Sequence, residues 1–388
     1  MKRFSLVLLL LFPALLPAWT DKGHRKIPAA ALRQLPADVP VLRAYASTVI
    51  DAGPEPDRWR VGLPVIKEAQ EPDHFIHVEM TEFLKEFPAT RPKFIEAVYA
   101  EAARTSQPLR PEAIGFQPYI VLEIFERLRV SFAGYARQRL FNEPTAETER
   151  RIAFYAGWLS HYVTDGAQPH HASIHYDGWQ GENPGGFTTQ RGIHYKFEGA
   201  FVERNIEPPD LDAAPARRPE IRDVFAGYIA YLRQAAGRVR RLYELDKDRA
   251  FDETGTPEGK RFVVERMAAG RDMLAAVWTA AWEQAQWQGC LPFEQAAAYV
   301  GRFGCVTGTV VNTSKPPSPA APLYLNFCED YRACAMSVMI GSRVRGDFPE
   351  AEKLAGRKAE FVGMISLAGG RPVLIVNERR QLREPAVQ

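Results

Sequence analysis

The segment Arg151 to His171 reads RIAFYAGWLSHYVTDGAQPHH, and its pattern sets the fold class. Ile152, Tyr155, Leu159 and Tyr162 recur three or four residues apart, the spacing that lays apolar side chains along one stripe of an α-helix. Pro144 and Thr145 suit the start of that helix, and Gly166 with Pro169 its end. On such a helix His161 and Asp165, four apart, project from the same face. His171 follows six residues after Asp165, beyond the helix-ending glycine and proline. Ile193-His-Tyr-Lys-Phe-Glu198 then repeats the four-residue relation between His194 and Glu198. Imidazole nitrogen and carboxylate oxygen are zinc ligands, and a helix presents two of them rigidly. A single HxxxD is usually a surface histidine beside an aspartate, but HxxxDxxxxxH followed by HxxxE is far more specific.

All eight histidines lie before residue 195, a clustering unlike that of core histidines scattered by chance. Helical patterns also run through Arg91 to Arg104, Gln117 to Leu140, Ile221 to Leu245 and Thr256 to Gln286, so the chain reads as mostly helical from Lys22 to Gln288. His175 to Arg191, rich in Gly, Asn and Thr, reads as a loop. After Gln288 the character changes. Val306 to Val311, Leu323 to Phe327, Cys334 to Ile340, Ala359 to Leu367 and Pro372 to Asn377 are short strand-like runs. Five strands in so short a stretch predict a small closed barrel of the OB type over residues 295–385. The expected architecture is therefore mainly α, a helical domain over residues 19–288 followed by a five-stranded OB-like β-barrel.

The 388 residues are 46% hydrophobic and 25% charged, an ordinary globular balance that supports two domains. The first eighteen residues read as a signal peptide: Lys2 and Arg3, the apolar run Phe4 to Leu16, then Ala18 before a cut. That run is too short to span a bilayer. The chain is thus expected to be exported, periplasmic or secreted. Loss of Lys2 and Arg3 takes the formal net charge from +2 to zero, which gives no global electrostatic case for nucleic acid or anionic membrane. The four cysteines, Cys290, Cys305, Cys328 and Cys334, show no CxxC spacing, so neither a thiolate zinc site nor a disulfide framework is indicated. In an exported protein Cys328 and Cys334 could pair, which the sequence leaves open.

In order along the chain, Trp19 with Gly23-His24, Gly53-Pro-Glu-Pro-Asp57-Arg-Trp-Arg60, Pro72-Asp73-His74-Phe75, and then His161, Asp165, His171, His194 and Glu198 resemble the superfamily of zinc-dependent phospholipase C and the P-one-type single-strand nucleases. The likeness spans Trp19 to Glu198, about half the chain. It implies three Zn2+ ions. One would take Asp57, His74, His161 and Asp165; a second His171, His194 and Glu198; the third Trp19, through its free amino group and carbonyl, with His24 and a bridging Asp165. Cleavage before Trp19 would then create a ligand. His171 rather than His170 follows the Gln-Pro-x-His pattern, and Asp73 stands as a rival to Asp57. His77, His170 and His175 are surplus, expected to be ordinary polar or supporting residues, with Tyr155 and Trp158 in the core.

The implied chemistry is in-line attack of hydroxide on phosphorus with no covalent enzyme intermediate, Asp57 and Asp165 being the catalytic carboxylates. No Gly-rich phosphate loop or G-x-S-x-G elbow competes with it. For substrate, the step from Trp19 to His24 and the placing of Phe75, where nucleases stack a base, favour single-stranded nucleic acid or a nucleotide. The Pro-Glu-Pro-Asp57 stretch and His77 lean towards phospholipid, the alternative substrate. The C-terminal strands resemble bacterial OB modules and carry only a mild basic excess. A non-catalytic zinc-binding protein is the third class, disfavoured by the complete ligand set.

Overall fold

The computed structural model describes residues 19–314, 318 and 321–383; the proposed signal peptide lies outside the described residues. The first half of the chain folds as α1 (Thr20–Gln34), α2 (Ala46–Ala52), α3 (Glu55–Arg60), α4 (Pro64–Gln70), α5 (Arg91–Thr105), α6 (Pro111–Ile114), α7 (Gln117–Leu140) and α8 (Ala146–Asp165). After a loop come α9 (Ile193–Tyr195), α10 (Phe201–Asn205), α11 (Pro208–Ala213), α12 (Val224–Ala236), α13 (Val239–Lys247) and α14 (Pro257–Glu283). The pattern over Ile221 to Leu245 resolves into two helices, broken at Gly237. Thr145 stands at the N-cap of α8 as expected but makes no side-chain cap, whereas Thr256 accepts a hydrogen bond from the Gly259 N–H with Pro257 next in line, and Asp223 accepts from the Ala226 N–H.

Helix α8 lies at the centre. Ile152, Ala156, Leu159, Tyr162 and Val163 are fully buried in the main core with Ile124, Leu128, Phe132 and Trp278 from α7 and α14. Its contact with α2 depends on Gly157: a Cβ there would sit 2.5 Å from the Val49 carbonyl oxygen and 2.6 Å from the Ala52 Cβ. The approach brings the Gly53 carbonyl over the end of α8, where His161 needs it. Gly157→Val should therefore cost about 1–3 kcal/mol by overpacking, read as a fall in Tm. A variant melting with the wild type would show that α2 yields there freely.

The C-terminal part departs from expectation. Its strands are β1 (Gln286–Pro292), β2 (Phe303–Thr309), β3 (Asn312–Ser314), β4 (Leu323–Asn326), β5 (Ser337–Ile340), β6 (Lys358–Ala368), β7 (Arg371–Val376) and β8 (Leu382–Arg383). They form one eight-stranded mixed sheet in the order β1-β2-β6-β7-β5-β4-β3, with β8 on β6. The path does not close, so the expected OB-like barrel of five strands is corrected to an open sheet. Strand β6 links its two parts, pairing with β2 through Met364 and with β7 from Ile365 onward. The apolar alternation of β2, β4, β5, β6 and β7 fills a core of its own around Val306, Leu325, Val338, Phe361 and Leu374. Phe303, Cys305 and Val362 instead join the helical core, and Arg129 on α7 donates to the Val300 carbonyl.

The cysteine reading is corrected in part: the Cys328–Cys334 pair left open by the sequence forms, and a second, unexpected one joins it. Cys290 bonds to Cys305 and Cys328 to Cys334. The first pair joins β1 to its parallel neighbour β2, where the two residues are direct register partners. Spacing in the sequence carries no trace of that register. The Cys290, Cys305 and Glu360 group consequently offers no thiolate for a metal. Among the described residues no helix is long and apolar enough to cross a membrane.

Candidate metal centre

Seven elements, α8 among them, meet at the buried end of α8. His24 comes from α1, Asp57 from α3, His74 from the 3-10 turn Glu71–His74, and His161 with Asp165 from α8 itself. His171 lies on the turn Pro169–Ala172. His194 is on α9, and Glu198 on the segment Lys196–Ala200, which is wound as a π-helix rather than the expected α-helix. Such wider turns recur at functional positions. The intended pairing survives it, with His194 Nε2 2.7 Å from Glu198 Oε1.

The first group is compact. His74 Nδ1 and His161 Nε2 are 3.0 Å apart, and Asp165 Oδ2 is 3.4 Å from each. Asp57 Oδ1 lies 3.8 Å from His161 Nε2 and 3.9 Å from His74 Nδ1. Four donors at about 2.0–2.1 Å from one tetrahedral zinc stand roughly 3.3–3.4 Å from each other. The observed separations bracket that edge. His24 Nε2 is 3.3 Å from Asp165 Oδ1, and its ring stacks on His161 at 4.0 Å. In the remaining group Glu198 holds His194 with one oxygen and faces His171 Nε2 at 3.5 Å with the other. His171 Nε2 and Asp165 Oδ1 are buried and make no hydrogen bond, a costly state for polar atoms unless a cation is their partner; His74, whose Nδ1 faces the cluster, leaves its Nε2 without a hydrogen bond as well.

Backbone carbonyls fix which ring nitrogen faces inward. His161 Nδ1–H donates to Gly53 O at 2.9 Å, His171 Nδ1–H to His74 O at 2.7 Å and His194 Nδ1–H to Tyr176 O at 2.9 Å. Each bond assigns the proton to Nδ1 and leaves the Nε2 lone pair for the cluster, the usual support for metal-ligating histidine. Thr164 does the same for His24: its hydroxyl donates to His161 O at 3.0 Å and accepts from His24 Nδ1–H at 3.2 Å. Burial drives the His74 and His161 pKa values well below the ordinary imidazole value, which keeps both rings neutral donors. Burial together with the charges of Asp57 and Glu198 pushes Asp165 well above the usual carboxylate range. Burial would also raise Glu198, but the neighbouring His194 and His171 rings hold it low.

The other singled-out residues fall as follows. Trp19 is fully buried, and its indole N–H donates to Thr164 O at 2.8 Å, beside Asp165. Asp73 turns away from the cluster and accepts from Arg91 Nη1 at 2.7 Å, which leaves the inward position to Asp57. Phe75 is half-buried and stacks on His77 at 4.7 Å, and His77 stacks on Tyr176 at 5.6 Å. His170 packs against His194 and Tyr243, while His175 stacks on Trp179 at 3.8 Å. Tyr155 and Trp158 only edge the core and are part of a surface aromatic group with Phe154 and Trp59.

Three supporting residues had no role in the sequence reading. Arg60 donates to Asp57 Oδ1 at 3.2 Å, Gln168 Nε2 donates to Glu198 Oε2 at 2.6 Å, and Gln117 Nε2 donates to His74 O at 2.8 Å. Only the proximity of Arg60 to Asp57, three residues on, could have signalled any of them.

No family model matches the chain, and no curated protein matches it. Among solved structures it is similar to the alpha-toxin of Clostridium perfringens from avian strain SWCP. The TM-score is 0.35 and the identity 10%, over 79% of this chain and 73% of that one. It is similar also to the alpha toxin from Clostridium absonum, with a TM-score of 0.32 and 13% identity over 78% of this chain and 73% of the other. Both likenesses are loose, and the chemistry of the centre rests on the donor distances.

Proposed function

We propose that the chain is an exported, zinc-dependent phosphodiester hydrolase, and that its substrate is a phospholipid head-group diester. One observation carries the reading: the donor atoms of His74, His161 and Asp165 lie 3.0–3.4 Å from one another, Asp57 Oδ1 lies 3.8–3.9 Å from both imidazoles, and the Gly53 carbonyl fixes the His161 ring from behind. Those four would hold one ion, His171, His194 and Glu198 a second, and the amino group and carbonyl of a mature N-terminal Trp19, with His24 and Asp165, a third. Two disulfides support an oxidising, extracytoplasmic destination.

Bound zinc ions supply Lewis acidity at phosphate oxygens and lower the pKa of water. Asp57, steadied by Arg60, orients the attacking water and accepts its proton. The water oxygen bonds to phosphorus in line with the glyceryl oxygen; that P–O bond breaks, and the leaving oxygen takes a proton from solvent. The products are a diacylglycerol and a phosphomonoester.

Phospholipid takes precedence over nucleic acid for two reasons. The C-terminal strands form an open sheet and not the OB-like barrel on which the likeness to nucleic-acid-binding modules rested, and the chain just beyond Asp57 exposes Val61, Leu63 and Val65. The nucleic acid reading keeps one supporting feature, the half-buried Phe75 ring beside the His74 donor. Hydrolysis of phosphatidylcholine and of single-stranded DNA, each with and without chelator, decides between them; zinc-dependent cleavage of DNA alone would reverse the order. If Phe75 stacks a base, Phe75→Ala should raise the nucleotide KM by about 10–100-fold with zinc content unchanged. For a phospholipid substrate the same variant should leave KM within a few-fold.

A further inference from the structure

Four residues beyond Asp57 the chain runs through Val61-Gly-Leu-Pro-Val-Ile66 and out into solvent. Val61 is 68% exposed, Leu63 78%, Val65 82% and Ile66 39%. Helix α4, which carries the last two, buries none of its seven residues. No charged side chain interrupts the six residues, although solvent-facing tips of this kind are ordinarily polar. Ile66 folds back over Gly62, so the tip is a formed apolar knob.

Charged residues, Arg60 and Lys67, flank the knob, and aromatic rings lie behind it. Trp59, at the base of the tip, meets Trp158 edge-on at 5.6 Å, and Trp158 continues to Tyr155 and to Phe154, which is 41% exposed. Aliphatic side chains at the extremity with aromatic rings behind them match the layering of a bilayer, hydrocarbon inside and interfacial Trp and Tyr at head-group depth. The knob is also tied to the metal centre at both ends: Asp57 precedes it on α3, and α4 runs into the turn ending at His74. A surface seated on it is therefore held beside the donors.

We infer that Val61, Leu63, Val65 and Ile66 dock the protein onto a phospholipid surface and present head groups to the metal centre. The inference rests on the phosphodiesterase reading for what happens after docking, but not for docking itself. A diester whose phosphate faces the donors and whose acyl chains face an aliphatic knob is a lipid in a membrane.

The test compares the mature wild type with Leu63→Glu/Val65→Glu, whose two sites are so exposed that folding should be unaffected. Partition onto phosphatidylcholine vesicles is measured by sedimentation, and hydrolysis on a water-soluble short-chain phosphatidylcholine below its micelle concentration. The double variant should bind vesicles on the order of 100-fold more weakly, as expected for withdrawing two aliphatic side chains from hydrocarbon. Its turnover of the monomeric substrate should equal that of the wild type. Equal vesicle binding by the two proteins, or none by the wild type, overturns the docking inference. A wild-type dimer that the substitutions dissociate, without vesicle binding, assigns the knob to a second copy and overturns it too. If vesicle binding falls as stated but neither protein cleaves any phosphodiester, docking stands and the hydrolase reading fails.

Discussion

Asp165→Asn should lower phosphodiester hydrolysis by at least about a thousandfold and strip the protein of most of its zinc, because its two oxygens face different partners. Oδ2 is 3.4 Å from both His74 Nδ1 and His161 Nε2, and Oδ1 is 3.3 Å from His24 Nε2. An amide keeps the volume but loses the charge and turns one oxygen into a donor. The two proteins should also differ in how they melt. Without metal, a fully buried carboxylate among other acids destabilises the fold, so the chelated variant should melt no lower than the chelated wild type. With zinc, only the wild type should gain stability, as expected when a ligand binds the folded state alone. A variant that keeps its zinc, or that unfolds in chelator where the wild type does not, would make Asp165 a structural residue.

The second large effect concerns the start of the mature chain. Protein beginning Met-Trp19 should lose roughly a hundredfold in activity and hold fewer zinc ions than protein beginning at Trp19. The extra residue turns the amino group of Trp19 into an amide, which donates no lone pair to a metal. Trp19 itself should stay in place, since its ring is fully buried beside Phe197 and bonded to Thr164. Equal melting temperatures for the two forms would show that placement, and unequal zinc content the loss of the ligand. Identical zinc content and activity would remove Trp19 from the donor set.

How much of this was legible in the sequence depended on whether the information was local. Helix α8 carried its own stripe and its His161–Asp165 spacing, so both its span and the direction of its donors could be read from twenty residues. The assignment of Asp57 over Asp73 needed a partner: Arg91, on another helix, occupies Asp73. The C-terminal sheet was misread for a similar reason. The five strands expected there exist, but β3 and β8 have only three and two residues and β1 shows no alternation, so no pattern announced them. Strand order is nonlocal as well. The path stays open because its end strands β1 and β3 do not pair, and the parallel pairing of β1 with β2 sets Cys290 against Cys305. The carbonyls of Gly53, His74 and Tyr176 were invisible because every residue has one; only the fold says which point at histidines.

Elemental analysis of the secreted chain beginning at Trp19, purified without chelator, tests the central claim most directly. Ten donor groups drawn from Trp19, His24, Asp57, His74, His161, Asp165, His171, His194 and Glu198, counting two from Trp19, should hold close to three zinc ions per chain. One ion or none per chain would contradict the account.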